Sequence, residues 1–173
     1  MQDAITNILN QYDITGKYLD RTAINKLNNY FDTATNRLKA TEIIISKSSK
    51  IVKETSIRLY SEQPELLRPG GNSYTTRRYA TCLRDIDYYL RYSSYALIAD
   101  SNNILNERLI DGLRETYLSL GVPIGPTILS IQILKNVVIE EIYNSDSQIN
   151  TTEVNILSKP FDYIIQSLSE QNI

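Results

Sequence analysis

Residues 68–100 decide the fold, and they read RPGGNSYTTRRYATCLRDIDYYLRYSSYALIAD. The proline and the Gly-Gly pair at the start predict a loop, because neither residue type favours a continuing helix. Thr75 or Thr76 is a candidate N-cap, since a threonine hydroxyl can accept a hydrogen bond from the first turn. From there to Ala99 the chain lacks proline and glycine. This uninterrupted stretch predicts one helix about 36 Å long, at roughly 1.5 Å per residue.

Apolar residues recur at helical spacing in most of the remaining chain, which predicts an all-α fold. Asp20 is a candidate N-cap for a second helix. We expect helices over residues 3–13, 20–31, 33–60 (one long helix or two abutting ones), 104–114, 115–120, 127–143 and 154–168, the last kinked at Pro160. Joints are expected over residues 62–76, 100–103, 121–126 and 144–152. No linker divides the pattern, so a single domain over residues 1–173 is predicted.

Composition excludes several classes of function. The 173-residue chain has a formal net charge of −2, which argues against nucleic acid as the main partner, because phosphate binding requires a basic surface. It contains no histidine, the commonest metal ligand and general base, and one cysteine, which allows no internal disulfide. The start shows no secretory or transit pattern, and no stretch is long and apolar enough for a membrane span. We therefore expect a soluble protein that acts where it is made.

Cys82, the only cysteine, lies within the long predicted helix. On a helical wheel at about 100° per residue, four side chains share its face: Arg78, Asp85, Tyr89 and Tyr92. A thiol, a cation, an anion and two phenols are poor material for a hydrophobic core. This face indicates the wall of a pocket.

Other charged and aromatic residues of this helix fall elsewhere on the wheel. Arg77 and Arg84 lie on the far side, toward solvent or a partner, and Tyr88 lies at the edge of the thiol's face. Arginine is long enough to reach around a helix, so the wheel alone leaves the role of Arg84 open.

These residue types suit a covalently bound, conjugated and anionic ligand. A thiol can form a thioether with an unsaturated group, and we expect the nearby arginines to raise its thiolate fraction. Arginine pairs with carboxylates, and an aspartate can accept hydrogen bonds from ligand N–H groups. The alternatives stay open on spacing alone, because a lone cysteine is often a small buried apolar residue and tyrosine stripes often belong to a core.

Residues 68–100 closely resemble the chromophore segment of phycobiliprotein beta subunits, and ETYLSLGVPIGPT, residues 115–127, looks like the second hallmark of that family. The similarity extends over at least residues 1–142 and is weaker beyond them. Within the family the chain looks most like allophycocyanin beta-type subunits, because phycocyanin and phycoerythrin beta subunits carry at least one further bilin-bearing cysteine. The segment EQPELLRPGGN, residues 62–72, resembles the beta-18 variant.

The resemblance implies a globin-like helical fold preceded by an N-terminal helical hairpin. It also implies one phycocyanobilin joined to Cys82 by a thioether. Asp85 would contact the pyrrole nitrogens of this bilin, and Arg78 and Arg84 would contact its propionates.

By the same resemblance, Arg77 would lie beside the pocket, and Tyr88 and Tyr117 would line it. Asn72 matches the position that the family converts to N-methylasparagine. These roles follow from the family pattern and not from spacing.

The resemblance further implies an allophycocyanin alpha subunit as partner, with Asp13 and Arg91 in reciprocal salt bridges across the heterodimer and Asp3 and Tyr18 nearby. Three heterodimers would close into a ring, joined by core linker polypeptides. The assembly would lie peripherally on a thylakoid membrane, on the stromal face in a plastid or the cytoplasmic face in a cyanobacterium.

The function predicted is that of a light-harvesting phycobilisome core subunit, not an enzyme, which passes excitation energy toward chlorophyll. A phycocyanin-type beta subunit with a single bilin and a helical scaffold without chromophore are the alternatives. A bilin lyase or reductase also stays open, since a single aspartate could serve in catalysis. A haem globin is disfavoured, because the chain has no histidine to ligate the iron.

Overall fold

The computed structural model describes residues 3–145 and 151–169, with side chains described through residue 145 and from residue 154. Its helices are Ala4–Ile14 (α1), Arg21–Asp32 (α2), Ala34–Glu62 (α3), Thr76–Ala99 (α4), Asn103–Leu105 (α5), Leu113–Leu120 (α6), Ile124–Ser145 (α7) and Thr151–Ser169 (α8). A 3₁₀ turn spans Pro64–Leu67, and a π-helical turn at Asn106–Ile110 extends α5. The described ranges contain no strand, and the predicted all-α class is confirmed.

Two predicted helix starts are confirmed by their capping hydrogen bonds. The Asp20 carboxylate accepts from the backbone amide of Ala23 at 2.8 Å at the start of α2. The Thr75 hydroxyl accepts from the backbone amide of Arg78 at 3.3 Å at the start of α4. Both caps satisfy amide groups that have no partner within the helix.

The segment between α4 and α7 differs from the sequence prediction. The helix expected over residues 104–114 ends at Ile110, because Gly112 adopts a left-handed φ of 77° and separates it from α6. Helix α7 begins at Ile124, inside the expected joint. Pro126 is tolerated there, since the first four amides of a helix have no intrahelical partner to lose.

Of the two arrangements predicted for residues 33–60, the structure has the single helix, α3, which begins after Thr33. Helix α8 begins at Thr151 and continues through Pro160. Part of the predicted 144–152 loop, residues 146–150, lies outside the described residues.

The core lies where α3 packs against α4 and α7, with α8 covering α7 and α4. Its large, fully buried side chains are aliphatic or aromatic and come from these four helices and from α5: Ile44, Ile51, Leu59, Ile86, Leu90, Leu105, Ile131, Leu134, Ile142, Phe161 and Ile164. One face of α4 is therefore fixed in the core, which leaves its neighbouring face for a pocket. No described helix meets the length and hydropathy that crossing a bilayer requires.

Helices α1 and α2 precede this core and bury little of their own apolar surface. Only Ile8 and Ala23 are buried among their residues. Large apolar side chains of the same segment are exposed: Leu9, Ile14, Tyr18, Ile24 and Phe31. The rest of this chain therefore covers only a small part of the apolar surface of α1 and α2.

Polar contacts hold these two helices at the α4–α5 turn. Asn7 donates to the Ser101 hydroxyl at 3.1 Å and accepts from Asn103 at 3.0 Å. The buried Arg37, in the first turn of α3, donates to the Tyr30 carbonyl of α2 at 2.7 Å and lies 3.1 Å from the Asp100 carboxylate. The attachment is therefore polar and specific, while the apolar face stays open.

Candidate functional site

The first half of α4 lines a cavity of about 390 Å³, together with the loop before it and the α6–α7 joint. Six of the residues singled out by sequence line this cavity: Asn72, Arg77, Arg78, Cys82, Asp85 and Tyr117. Tyr89, which the wheel placed on the face of the thiol, lines it as well. Apolar side chains complete the wall: Leu59, Leu66, Ile86, Leu120 and Val122.

The loop that closes one side of the cavity depends on Gly71. A Cβ atom at this position would lie 2.4 Å from the carbonyl oxygens of both Glu65 and Leu66. The loop therefore folds directly onto the 3₁₀ turn, and the Ser73 amide donates to the Leu66 carbonyl at 2.9 Å. This close approach directs residues 72 and 73 into the cavity.

Asn72 connects this loop to the opposite wall. Its side-chain amide donates to the backbone carbonyl of Gly121 at 3.0 Å. A primary amide has two N–H groups, so one remains for solvent, a ligand or a methyl group. The geometry accommodates the predicted N-methylation, which stays a prediction.

Asp85 is held from two sides. Arg84 donates to Asp85 Oδ1 at 2.8 Å, and the Tyr117 hydroxyl donates to Asp85 Oδ2 at 3.0 Å. Tyr89 shares a short hydrogen bond with Tyr117, and it must be the donor, because Tyr117 directs its own proton to the carboxylate. Burial raises the pKa of both tyrosines, so both remain neutral donors at physiological pH.

Arg84 and Tyr88 do not line the cavity in this structure. Arg84 is more than half exposed, as the wheel indicated, and reaches back to its neighbour Asp85. Tyr88 is exposed, with its ring centroid 4.6 Å from the Arg91 guanidinium. The roles expected for Arg84 and Tyr88 toward a bilin therefore rest on the family resemblance.

Tyr92 shares the thiol's side of α4 but lies too far along it to line the cavity. It follows Cys82 by ten residues, or about 15 Å of helix. Its ring packs edge-on against Tyr88 and Tyr95 instead. The wheel reports direction around the helix and ignores position along it.

Arg77 and Arg78 lie in the first turn of α4 at the mouth of the cavity, and both are exposed. Neither guanidinium forms an ion pair with any residue that the structure describes. Two cations beside an apolar cavity suit the carboxylates of a ligand.

The Cys82 thiol differs from the sequence expectation. Burial raises its pKa, and the hydroxyls of Tyr60 and Ser73 partly oppose that effect. The exposed guanidiniums at the mouth do not enrich the thiolate, because water screens their charge. Tyr60 and Ser73 could not be predicted from the sequence, since no helical spacing relates the end of α3 or the loop to a residue of α4.

The four predicted interface residues differ in their present contacts. Asp3 caps α1 by accepting from a backbone amide at 2.7 Å. Asp13 is exposed, and Tyr18 is 99% exposed. Arg91 is exposed and lies 3.8 Å from Asp87, a distance that leaves it able to exchange partners.

Comparison with known proteins agrees with the sequence resemblance. The family model described as "Phycobilisome protein" matches residues 7–168. The chain is 61% identical to the allophycocyanin subunit beta-18 of Aglaothamnion neglectum, 54% to that of Pyropia yezoensis and 51% to that of Synechocystis sp., each over the full length of both chains. The predicted similarity to allophycocyanin beta-type subunits, and to the beta-18 variant among them, is confirmed. The chain belongs to the phycobilisome protein family and is a light-harvesting subunit of that antenna.

Proposed function

We propose that this chain carries one phycocyanobilin, joined by a thioether to Cys82, and passes its excitation energy toward chlorophyll. The single observation that carries the proposal is the cavity, where the only cysteine, a carboxylate and two arginines meet among apolar walls. Neither arginine has an ion-pair partner in the part of the chain that the structure describes. Family membership makes a covalent bilin the expected ligand.

The residues present fit such a group. A flat conjugated ring system needs apolar walls, which Leu66, Ile86 and Tyr117 help to provide. Pyrrole N–H groups need an acceptor, and the Asp85 carboxylate has about four lone-pair sites, of which Arg84 and Tyr117 occupy only part.

The propionate groups need cations. Arg77 and Arg78 are available at the mouth of the cavity, whereas Arg84 is engaged by Asp85 in this structure. The expected contact between Arg84 and a propionate would therefore require this side chain to swing away from Asp85. The side chain is more than half exposed, and its remaining contact is with the exposed Tyr88 ring, whose centroid lies 5.6 Å from the guanidinium, so solvent-side packing opposes the movement only weakly.

When bound, the bilin supplies absorption in the visible range and an excited state that can be transferred. The residues of this chain hold and tune it. Asp85, fixed by its neighbours, favours a protonated ring system, since an anion near a basic group stabilises its charged form. The hydrogen bonds among Tyr89, Tyr117 and Asp85, one buried and one partly buried, stiffen one wall, which restricts the motions that convert excitation into heat.

Assembly with an allophycocyanin alpha subunit is part of this proposal. The exposed apolar side chains of α1 and α2 supply a surface that an aqueous monomer would leave unfavourably hydrated. Asp13 lies beside that surface, and Arg91 lies exposed on α4. We propose that they form the reciprocal salt bridges of the heterodimer, that Asp3 and Tyr18 lie near them, and that three heterodimers form the ring to which core linkers bind.

The proposed location is peripheral to a thylakoid membrane, on its stromal or cytoplasmic face. Its support is family membership, since phycobilisomes are thylakoid-associated assemblies. Immunogold labelling of host cells would show the chain on that face, and label spread evenly away from the membranes would contradict it.

Absorption and emission spectra of the native protein test the function. We expect a long-wavelength red absorption band and strong fluorescence, with an emission maximum close to the absorption maximum. A chain without visible absorption would favour the scaffold alternative, and a shorter-wavelength red band would favour the phycocyanin type. Conversion of free bilin into a released product would favour a lyase or reductase.

A further inference from the structure

Tyr60, in the last turn of α3, brings a buried hydroxyl beside the cavity. The residue is 9% exposed, and its hydroxyl has no hydrogen-bond partner of good geometry among the described residues. Its ring stacks on Tyr79 with centroids 5.4 Å apart, which fixes the position of the hydroxyl oxygen and leaves its proton free to turn toward an acceptor. The Cys82 thiol raises and the Ser73 hydroxyl lowers the pKa of this phenol, so both groups are its neighbours. A buried and unsatisfied donor at this place calls for an explanation.

Ser73 approaches the thiol from the loop. It is 4% exposed and lines the cavity, as Cys82 does. The hydrogen bond from its amide to the Leu66 carbonyl fixes its backbone. One hydroxyl from the end of α3 and one from the loop therefore lower the pKa of the thiol, and each stands on a fixed support.

Thioether formation requires the thiolate, which is the nucleophilic form of cysteine. Burial raises the pKa of Cys82, and the negative charge of Asp85 raises it further. Burial also raises the pKa values of Tyr60, Tyr89 and Tyr117, so these phenols stay protonated while the thiol ionises. A protonated phenol can donate to a forming thiolate, and Tyr60 is the phenol beside it.

We propose that Tyr60 and Ser73 are positioning residues for chromophore attachment, whose hydroxyls hold the Cys82 sulfur in the cavity and donate to the thiolate as it forms. The inference rests on the proposed function, because only a covalent ligand gives this thiol a reaction to perform.

The reaction that they assist is an addition. The sulfur forms a bond to the outer carbon of an electron-poor exocyclic C=C group on a terminal ring. The π electron pair of that double bond shifts to the adjacent ring carbon, which takes up a proton equivalent to the one that left the thiol. The atoms of thiol and ligand are all retained, and no oxidant or reductant is needed.

The test measures the thiol without any bilin. The full-length chain, expressed without chromophore, is alkylated with iodoacetamide from about pH 6 to about pH 11, a range that brackets thiol ionisation. In Tyr60→Phe the Cys82 thiolate loses one hydrogen bond. The midpoint of its titration should therefore move upward by about one pH unit. Because nucleophilicity increases with thiol pKa, the rate at neutral pH should fall only about threefold. Ser73→Ala should also raise the titration midpoint of Cys82, by a smaller amount.

Tyr79→Phe is the matched control, since it removes a hydroxyl from the other ring of the stack and keeps the stack itself. Its alkylation profile should match the wild type. A Tyr60→Phe midpoint equal to that of the wild type, with unchanged helical circular dichroism, would overturn the proposal. If Tyr60→Phe loses helical structure, Ser73→Ala decides, and an unchanged midpoint there would overturn it equally.

The mass of the chain isolated from its host reports on the proposed function separately. A native chain without covalent bilin would contradict the proposed function whatever the thiol titration shows. A native chain with bilin, together with unaltered titration in the two variants, would contradict the roles of Tyr60 and Ser73 alone.

Discussion

Tyr117 of α6 donates a hydrogen bond to Asp85 of α4 across 3.0 Å, and this contact ties two helices together at the floor of the cavity. Tyr117 is itself held by Tyr89, so the carboxylate is oriented before any ligand arrives. Fixed polar groups interact more strongly with a ligand than groups that must first reorganise. The acceptor for pyrrole N–H groups is therefore built into the fold.

Replacing Asp85 should change the optical spectrum. Asp85→Ala removes the anion that stabilises a protonated ring system, so the red band of the pigmented protein should move to shorter wavelength or lose intensity. Asp87→Ala is the control, since this half-exposed aspartate of the same helix does not line the cavity. An Asp85→Ala spectrum identical to that of the wild type would count against the role of this carboxylate.

Replacing Tyr117 should lower the stability of the folded protein. Tyr117→Phe leaves the buried Tyr89 hydroxyl without its acceptor, which should reduce the free energy of unfolding by about 1–3 kcal/mol. Urea denaturation measures this change. Tyr95→Phe, at a 43% exposed position of α4, should change it by less than about 0.5 kcal/mol. Equal losses of unfolding free energy in the two variants would contradict the hydrogen bonds that join Tyr89, Tyr117 and Asp85.

Local signals in the sequence were sufficient for much of this fold. The caps at Asp20 and Thr75 depend on a few neighbouring residues, and both were predicted. Cys82, Asp85 and Tyr89 share one face because helical geometry fixes that relation. Such features need no knowledge of distant parts of the chain.

Tertiary contacts supply the rest, and spacing does not encode them. The approach of Tyr60 to the thiol, and the raised pKa that burial gives to Cys82, both depend on how α3 packs against α4. The hydrogen bond from Tyr117 to Asp85 joins residues 32 positions apart. Tyr117 was expected in the pocket only because the sequence resembles the family, and not because of its spacing.

Gly71 should tolerate a side chain less well than Gly125 does. A Cβ atom there would overlap two backbone carbonyls at 2.4 Å, so Gly71→Ala must displace the loop and should cost about 1–3 kcal/mol. Gly125→Ala is the matched control, because a Cβ atom at that position in α7 meets nothing within 4 Å. The control should be neutral or slightly stabilising, since alanine favours a helix by about 0.5–1 kcal/mol. Urea denaturation that ranks the two variants in the reverse order would refute the close approach of this loop.

The proposed heterodimer predicts a role for Asp13. Asp13→Ala should weaken association with the alpha subunit about tenfold or more, because the arginine opposite would lose its partner in a buried contact. Analytical ultracentrifugation of the mixed subunits measures the change. Asp111→Ala, an exposed aspartate outside α1 and α2, should associate as the wild type does. Unaltered assembly of Asp13→Ala would exclude this contact.

The central claim is a single covalent bilin on Cys82. Peptide mass spectrometry of the native chain, isolated from its host under acidic denaturing conditions, tests it most directly. We predict that the peptide containing Cys82 carries the added mass of one phycocyanobilin and that no other peptide carries a bilin. A peptide with a free Cys82 thiol throughout the preparation would contradict the account.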